Sequence, residues 1–192
     1  MFITTLQFKE KLFAYLAFQI TWFSCLLSTT EVYLSVSLVT FAYYLYLLRK
    51  IHFPLFLPLG LAFLGYCLDL LWQSLSWIRF TGEETFSSSL FLLLIWIAFI
   101  LSIPLIMQPV LKKKVWAILL SFSVPFSYLA GQKLNAVQYY DPEWRAMSAQ
   151  IMSYLLILFL YQMVWLFYMR RYDNQKGSYP APKNSVIGKS HE

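Results

Sequence analysis

The sequence predicts an all-α integral membrane protein: a polytopic bundle of six transmembrane helices with both termini in the cytoplasm. Three observations predict it. Charged residues make up 12% of the chain and apolar residues 59%, whereas a soluble domain carries about 25% charged residues. That leaves too little polar surface to cover a water-soluble globule. The apolar residues gather into six runs of 17 residues or more, long enough at about 1.5 Å per residue to cross hydrocarbon. None of them alternates as a barrel strand would. Finally, twelve of the fifteen Lys and Arg lie on alternate flanks of these runs.

The first run, Leu12–Ser28, follows Lys9 and Lys11 but contains no small-x-small cleavage site. It is expected to be a retained helix and not a signal peptide. The second, Val32–Leu48, stops at Arg49 and Lys50, and the third, Phe53–Trp77, carries Asp69. The fourth, Leu90–Met107, ends shortly before Lys112, Lys113 and Lys114. The fifth, Val115–Gly131, contains Pro125, which frees a carbonyl that a neighbouring side chain must satisfy. Its Ser123, Ser127 and Gly131 form a small-x-x-x-small stripe, expected to admit a close helix contact. The sixth, Met147–Met169, is prepared by "YYDPEWR", in which Asp141 caps, Pro142 takes the first turn and Glu143 suits the positive helix end. Residues 1–169 thus form the membrane domain. Residues 170–192 hold few bulky apolar side chains and are expected to be a disordered basic cytoplasmic tail.

The charges orient the bundle. Lys9, Lys11, Arg49, Lys50, the three lysines 112–114 and the five basic residues of the tail share one side; Arg79, Lys133 and Arg145 are alone on the other. The excess of Lys and Arg marks the cytoplasmic side. Glu31, Glu83, Glu84, Asp141 and Glu143 fall on the opposite side. The net charge of +6 is therefore a topology signal, and no nucleic-acid partner is expected. Cys25 and Cys67 lie singly in apolar runs. They are expected to be buried small hydrophobes, so no metal site and no cofactor are inferred.

Asp69 is the residue that needs a reason, since a carboxylate at the centre of a membrane helix costs ~2.5–3.5 kcal/mol on insertion scales. On a helical wheel it shares a face with Pro58, Ala62, Gly65, Tyr66, Trp72, Gln73 and Ser76, whereas Leu64, Leu68, Leu71 and Leu75 point away. It therefore faces protein or a cavity, and its depth lies in the outer half of the span. Other runs bring polar-tipped groups to that layer: Gln19 and Trp22 from the first, Trp96 from the fourth, Tyr128 and Gln132 from the fifth, Gln150 and Tyr154 from the sixth. The candidate pocket consists of Asp69, Gln73, Trp72, Gln19, Trp22, Tyr128 and Gln132. The same residues also admit a structural role, with Asp69 a neutral carboxyl accepting hydrogen bonds from Tyr128 or Gln19.

"FQITWFSCLL", "GYCLDLLW", "LLIWIAFILS" and "VPFSYLAGQKLNAVQY" resemble, in that order, the bacterial family called domain of unknown function 2878, over roughly Leu12 to Tyr140. The most specific pieces are Gly65 with Asp69, and Pro125, Ser127, Tyr128, Ala130 and Gly131. The family pattern has glycines where Val124 and Asn135 stand here. The resemblance implies a small multi-pass protein of the inner membrane of Gram-negative bacteria, with no established activity.

Three functions are compatible with these residues. One is binding or moving a lipid or small amphipathic molecule through the pocket around Asp69. Another is a subunit or assembly partner of a larger membrane transporter or lipid-modification complex. The third is an enzyme acting on membrane lipids. The enzyme finds least support: the histidines are His52 and His191, and Gly-x-Ser-x-Gly, His-Glu-x-x-His and paired intramembrane carboxylates are all lacking.

Overall fold

A computed structural model describes residues 6–80, 86–140 and 142–177. Among these the regular elements are helices and one two-stranded antiparallel sheet: α1 (Phe8–Leu27), α2 (Thr30–Lys50), α3 (Phe56–Ser74), β1 (Ile78–Phe80), α4 (Phe86–Ile106), α5 (Gln108–Lys112), α6 (Lys114–Lys133), β2 (Val137–Tyr139) and α7 (Glu143–Gly177). Three helical stretches, Glu31–Lys50, Lys114–Lys133 and Glu143–Tyr168, are long and apolar enough to cross a membrane, and Leu90–Ile106 is a shorter apolar helix. The capping expected of Asp141, the acids Glu83 and Glu84, and the tail from 178 lie outside the described residues.

The ends of the elements follow from local chemistry. Helix α1 starts at Phe8, a turn before the apolar run, because the Glu10 carboxylate accepts the Gln7 backbone N–H at 2.9 Å. Three helices stop by one device. After α2, α3 and α6 the backbone turns left-handed at His52, Ser76 and Asn135, with φ of 55°, 58° and 58°. In each case the next residue's N–H reaches back five positions: Phe53 to Leu48, Trp77 to Trp72 and Ala136 to Gly131, at 2.9–3.0 Å. This is the Schellman cap, which usually employs glycine. It shortens the third span, which ends at Ser74 and not at Trp77. The extra helix α5 fills what the sequence leaves as a loop, started by Pro109 in its first turn. Helix α7 runs on past the expected boundary at Met169; its 35 residues extend about 52 Å at 1.5 Å per residue.

Strands β1 and β2 pair antiparallel, Ile78 opposite Tyr139 and Phe80 opposite Val137. The pairing brings the C-terminal ends of α3 and α6 to the same end of the bundle. At the other end Lys50 and Glu10 form an ion pair at 2.5 Å. The Lys50 ammonium holds the Glu10 carboxyl below the usual carboxylate range, and Glu10 in turn raises Lys50.

Helices α6, α7, α3, α4 and α1 follow one another around the bundle, each packed on the next, with α2 against α1 and α4. Polar links tie neighbours: the Tyr44 hydroxyl donates to the Ala14 carbonyl and the Thr21 hydroxyl to Thr40, both at 2.8 Å. Pro104 inside α4 has no N–H for the Ile100 carbonyl, which instead accepts the Tyr161 hydroxyl of α7 at 3.4 Å. The outer surface is apolar. On α1 alone Phe13, Leu16, Ile20, Phe23 and Leu27 form an exposed stripe at helical spacing, and Val39 and Phe126 are 71% and 72% exposed. Monomeric soluble proteins rarely show contiguous apolar surface on that scale. Cys25 is buried as expected, but Cys67 is exposed; both are free.

Candidate functional site

Asp69 is fully buried on α3, and its Oδ2 accepts two hydrogen bonds: the Trp96 indole N–H of α4 at 2.7 Å and the Tyr128 hydroxyl of α6 at 2.8 Å. Its other oxygen, Oδ1, has no partner. Gly65 makes this geometry possible. It lies one turn before Asp69, and a Cβ there would overlap the Trp96 ring. The Gly-x-x-x-Asp pair is thus a seat for an indole: the glycine admits the ring and the aspartate receives its N–H.

Around this centre the aromatic groups of α7 close in. Tyr154 packs against Trp96 with ring centroids 4.6 Å apart, and the Tyr154 and Tyr128 hydroxyls are hydrogen-bonded to each other. The Tyr139 hydroxyl, on β2, donates to Gln150 Oε1 at 3.1 Å, leaving Gln150 Nε2 buried without a partner. Burial pushes the Tyr139 phenol up to about 12, so it stays a neutral donor at physiological pH.

One wall of this cluster faces a cleft. Helices α1 and α6 stand at the two ends of the packed row and oppose each other across it. Three pockets lie along it, each sharing lining residues with the next. A pocket of about 50 Å³ beside β1 and β2 is lined by Trp22, Phe80, Trp96, Tyr128, Val137 and Tyr154 among others. A middle pocket of about 230 Å³ adds Gln19, Phe99, Ser123 and Leu120 while sharing Trp22, Ser127 and Tyr154 with the first. The third, about 340 Å³, continues past Met107 and Leu120 to Trp116 and α5.

The sequence model of the family described as "Protein of unknown function (DUF2878)" matches residues 11–169. The chain belongs to this family. The match spans every residue of the Asp69 cluster and both walls of the cleft, so the site is built wholly from the DUF2878 region. No curated protein and no solved structure matches the chain. Asn135, within the matched region, is one of the left-handed helix caps, a conformation that Asn tolerates better than most residues.

Of the seven residues inferred from the sequence, the structure joins Asp69 to Tyr128 directly, and Gln19, Trp22 and Tyr128 line the cleft. Trp72 turns elsewhere: its indole donates to Ser153 of α7 at 2.8 Å, and it stacks on Trp77. Gln73 is exposed, and Gln132, in the last turn of α6, is not among the lining residues. Gln19 does not bond Asp69; Trp96 takes that place. The serine stripe of α6 also differs from expectation, since Ser123 and Ser127 face the cleft and only Gly131 makes a close contact, with Val137. Trp96, Tyr154 and Ser127 are the site residues that the sequence leaves unselected. The signal for Trp96 was the empty space at Gly65.

Proposed function

We propose that this DUF2878 protein spans the bacterial inner membrane six times, with both termini cytoplasmic, and binds a lipid or small amphipathic molecule in the cleft between α1 and α6. The cleft itself carries the proposal. It runs between two helices that bear exposed apolar side chains on their outer faces, so in a bilayer it would open sideways to acyl chains. Its polar groups lie in the pocket beside β1 and β2 and in the middle pocket, while the pocket at α5 is mainly apolar. The Asp69–Trp96–Tyr128 triad holds one wall rigid, which makes the carboxylate a support of the pocket more than a direct contact. The basic residues at the α5 end support a cytoplasmic side for that end by the positive-inside rule, and a periplasmic side for the end that carries β1 and β2.

The test is native mass spectrometry of the chain purified from inner membranes in mild detergent. An amphiphile should co-purify at one per chain. Ser123→Phe, which fills the middle of the cleft from a cleft-facing, solvent-accessible position on α6, should remove it without lowering the melting temperature. An adduct that survives this substitution would place binding elsewhere on the surface and remove the proposal.

A further inference from the structure

We infer that the occupant of the cleft is a single-chain long-chain alcohol, its hydroxyl lodged among Trp22, Ser127 and Tyr154 and its chain running toward α5. This rests on the binding role proposed above and adds the chemical class of the ligand. Three observations carry it: where the protons of the site are spent, the absence of charge, and the shape of the space.

The hydroxyl protons on the α6 wall are already used. Ser123 donates to the Leu120 carbonyl and Ser127 to the Val124 carbonyl, each at 2.7 Å, and Tyr128 donates to Asp69. What these oxygens offer the cleft is lone pairs, so they accept and do not donate. Across from them, the Gln19 amide and the Trp22 indole N–H can donate. A head group that both donates and accepts satisfies both walls, and a hydroxyl does so with one atom.

Among the described residues no Lys, Arg, His, Asp or Glu lines any of the three stretches. A carboxylate or phosphate head would lose its water, find no cation, and meet oxygens whose protons point elsewhere. An ammonium head would likewise find no anion, because Asp69 lies behind Trp96 and Tyr128. Space narrows the choice further. The pocket beside β1 and β2 is about 50 Å³, against a minimum on the order of 10–15 Å³ for a single water. It admits a head of a few atoms and not a glycerol bearing two esters. Beyond Ser127 the space widens to about 230 Å³, where Gln19 and Ser123 are the remaining polar groups, and then to about 340 Å³ between mainly apolar side chains. From Ser127 to Trp116 the α6 axis covers about 16 Å, close to half the hydrocarbon thickness and hence to the depth of one leaflet.

The experiment titrates hexadecanol, hexadecanoate, hexadecylamine and dioleoylglycerol against the purified full chain, reading bound mass by native mass spectrometry. Hexadecanol should bind at one per chain and at least tenfold more tightly than the other three. Combining Ser123→Ala with Ser127→Ala removes the acceptor oxygens; it should cost hexadecanol at least fivefold while leaving hexadecanoate unchanged. Both serines donate only within their own helix, so circular dichroism and melting should match the parent. If any of the other three binds as tightly as hexadecanol, the alcohol assignment is overturned, yet the cleft remains a binding site. If none of the four binds, or Ser123→Phe leaves binding intact, the cleft reading fails and the alcohol with it.

Discussion

Gly65 and Asp69 show how two small choices fix one large side chain. The Trp96 ring lies where the glycine has no Cβ and gives its N–H to the carboxyl one turn on. Gly65→Ala should therefore push the indole off its acceptor and destabilise the fold by ~1–3 kcal/mol, as overpacked cores do. Trp96→Phe keeps the ring but drops one donor, and should cost less. At Asp69 itself, Asn retains an oxygen that can accept from both Trp96 and Tyr128, and its melting temperature in detergent should stay near that of the parent. Asp69→Leu strands both donors and should cost ~1–3 kcal/mol. If Asn proves as damaging as Leu, the charge and not the acceptor is what the site needs. The position of Asp69 on a small, polar face was legible from the wheel. Its true partners were not, because a hydrogen bond between α3 and α4 depends on a helix crossing that no single-helix pattern encodes.

Among the elements, the recurrent Schellman cap sets the geometry of the end where β1 and β2 pair. Ser76 and Asn135 each stand two residues before a strand, so α3 and α6 leave the bundle by the same turn and deliver β1 and β2 to each other. A left-handed backbone costs a residue with a Cβ roughly 1–2 kcal/mol. Ser76→Gly and Asn135→Gly should each raise the melting temperature, by up to ~1 kcal/mol of stability after the added flexibility of the unfolded chain is counted. No gain at either position would mean that their side chains hold the turn in some other way. The apolar runs located the long helices because lipid-facing and core-facing residues are both apolar, so mean hydropathy marks the helix without marking its faces. For the same reason the short strands and α5, each three to five residues long, were invisible inside the polar connections.

At the scale of the whole molecule, α3 packs on α7, but α4 and α6, the helices on either side of that pair, are parted by the cleft. The bundle is thus a row of helices bent nearly into a ring and left open on one side. If the charge pattern orients it as proposed, Gln138→Cys, exposed on β2, should react with an impermeant thiol reagent from the periplasmic side in a cysteine-free background. Reaction only after the inner membrane is permeabilised would invert the topology. The positions of the long helices and the charge asymmetry were open to sequence reasoning because each follows from composition along the chain. The opening between α1 and α6 was not, since it depends on which helices fail to touch.

The spacing of the Asp69 bonds has a consequence for biosynthesis. Its partners lie 27 and 59 residues further along the chain. At about 5–20 residues per second of translation, the aspartate waits roughly 3–12 s between its own synthesis and that of Tyr128. In the six-span arrangement proposed above, α3 enters the translocon with its carboxyl unmatched, carried by the leucines on its other face, until Trp96 supplies the first donor and Tyr128 the second. Slowing elongation between α4 and α6 would lengthen the exposure. The nascent chain should then be most vulnerable to membrane quality-control proteases just before α6 is made.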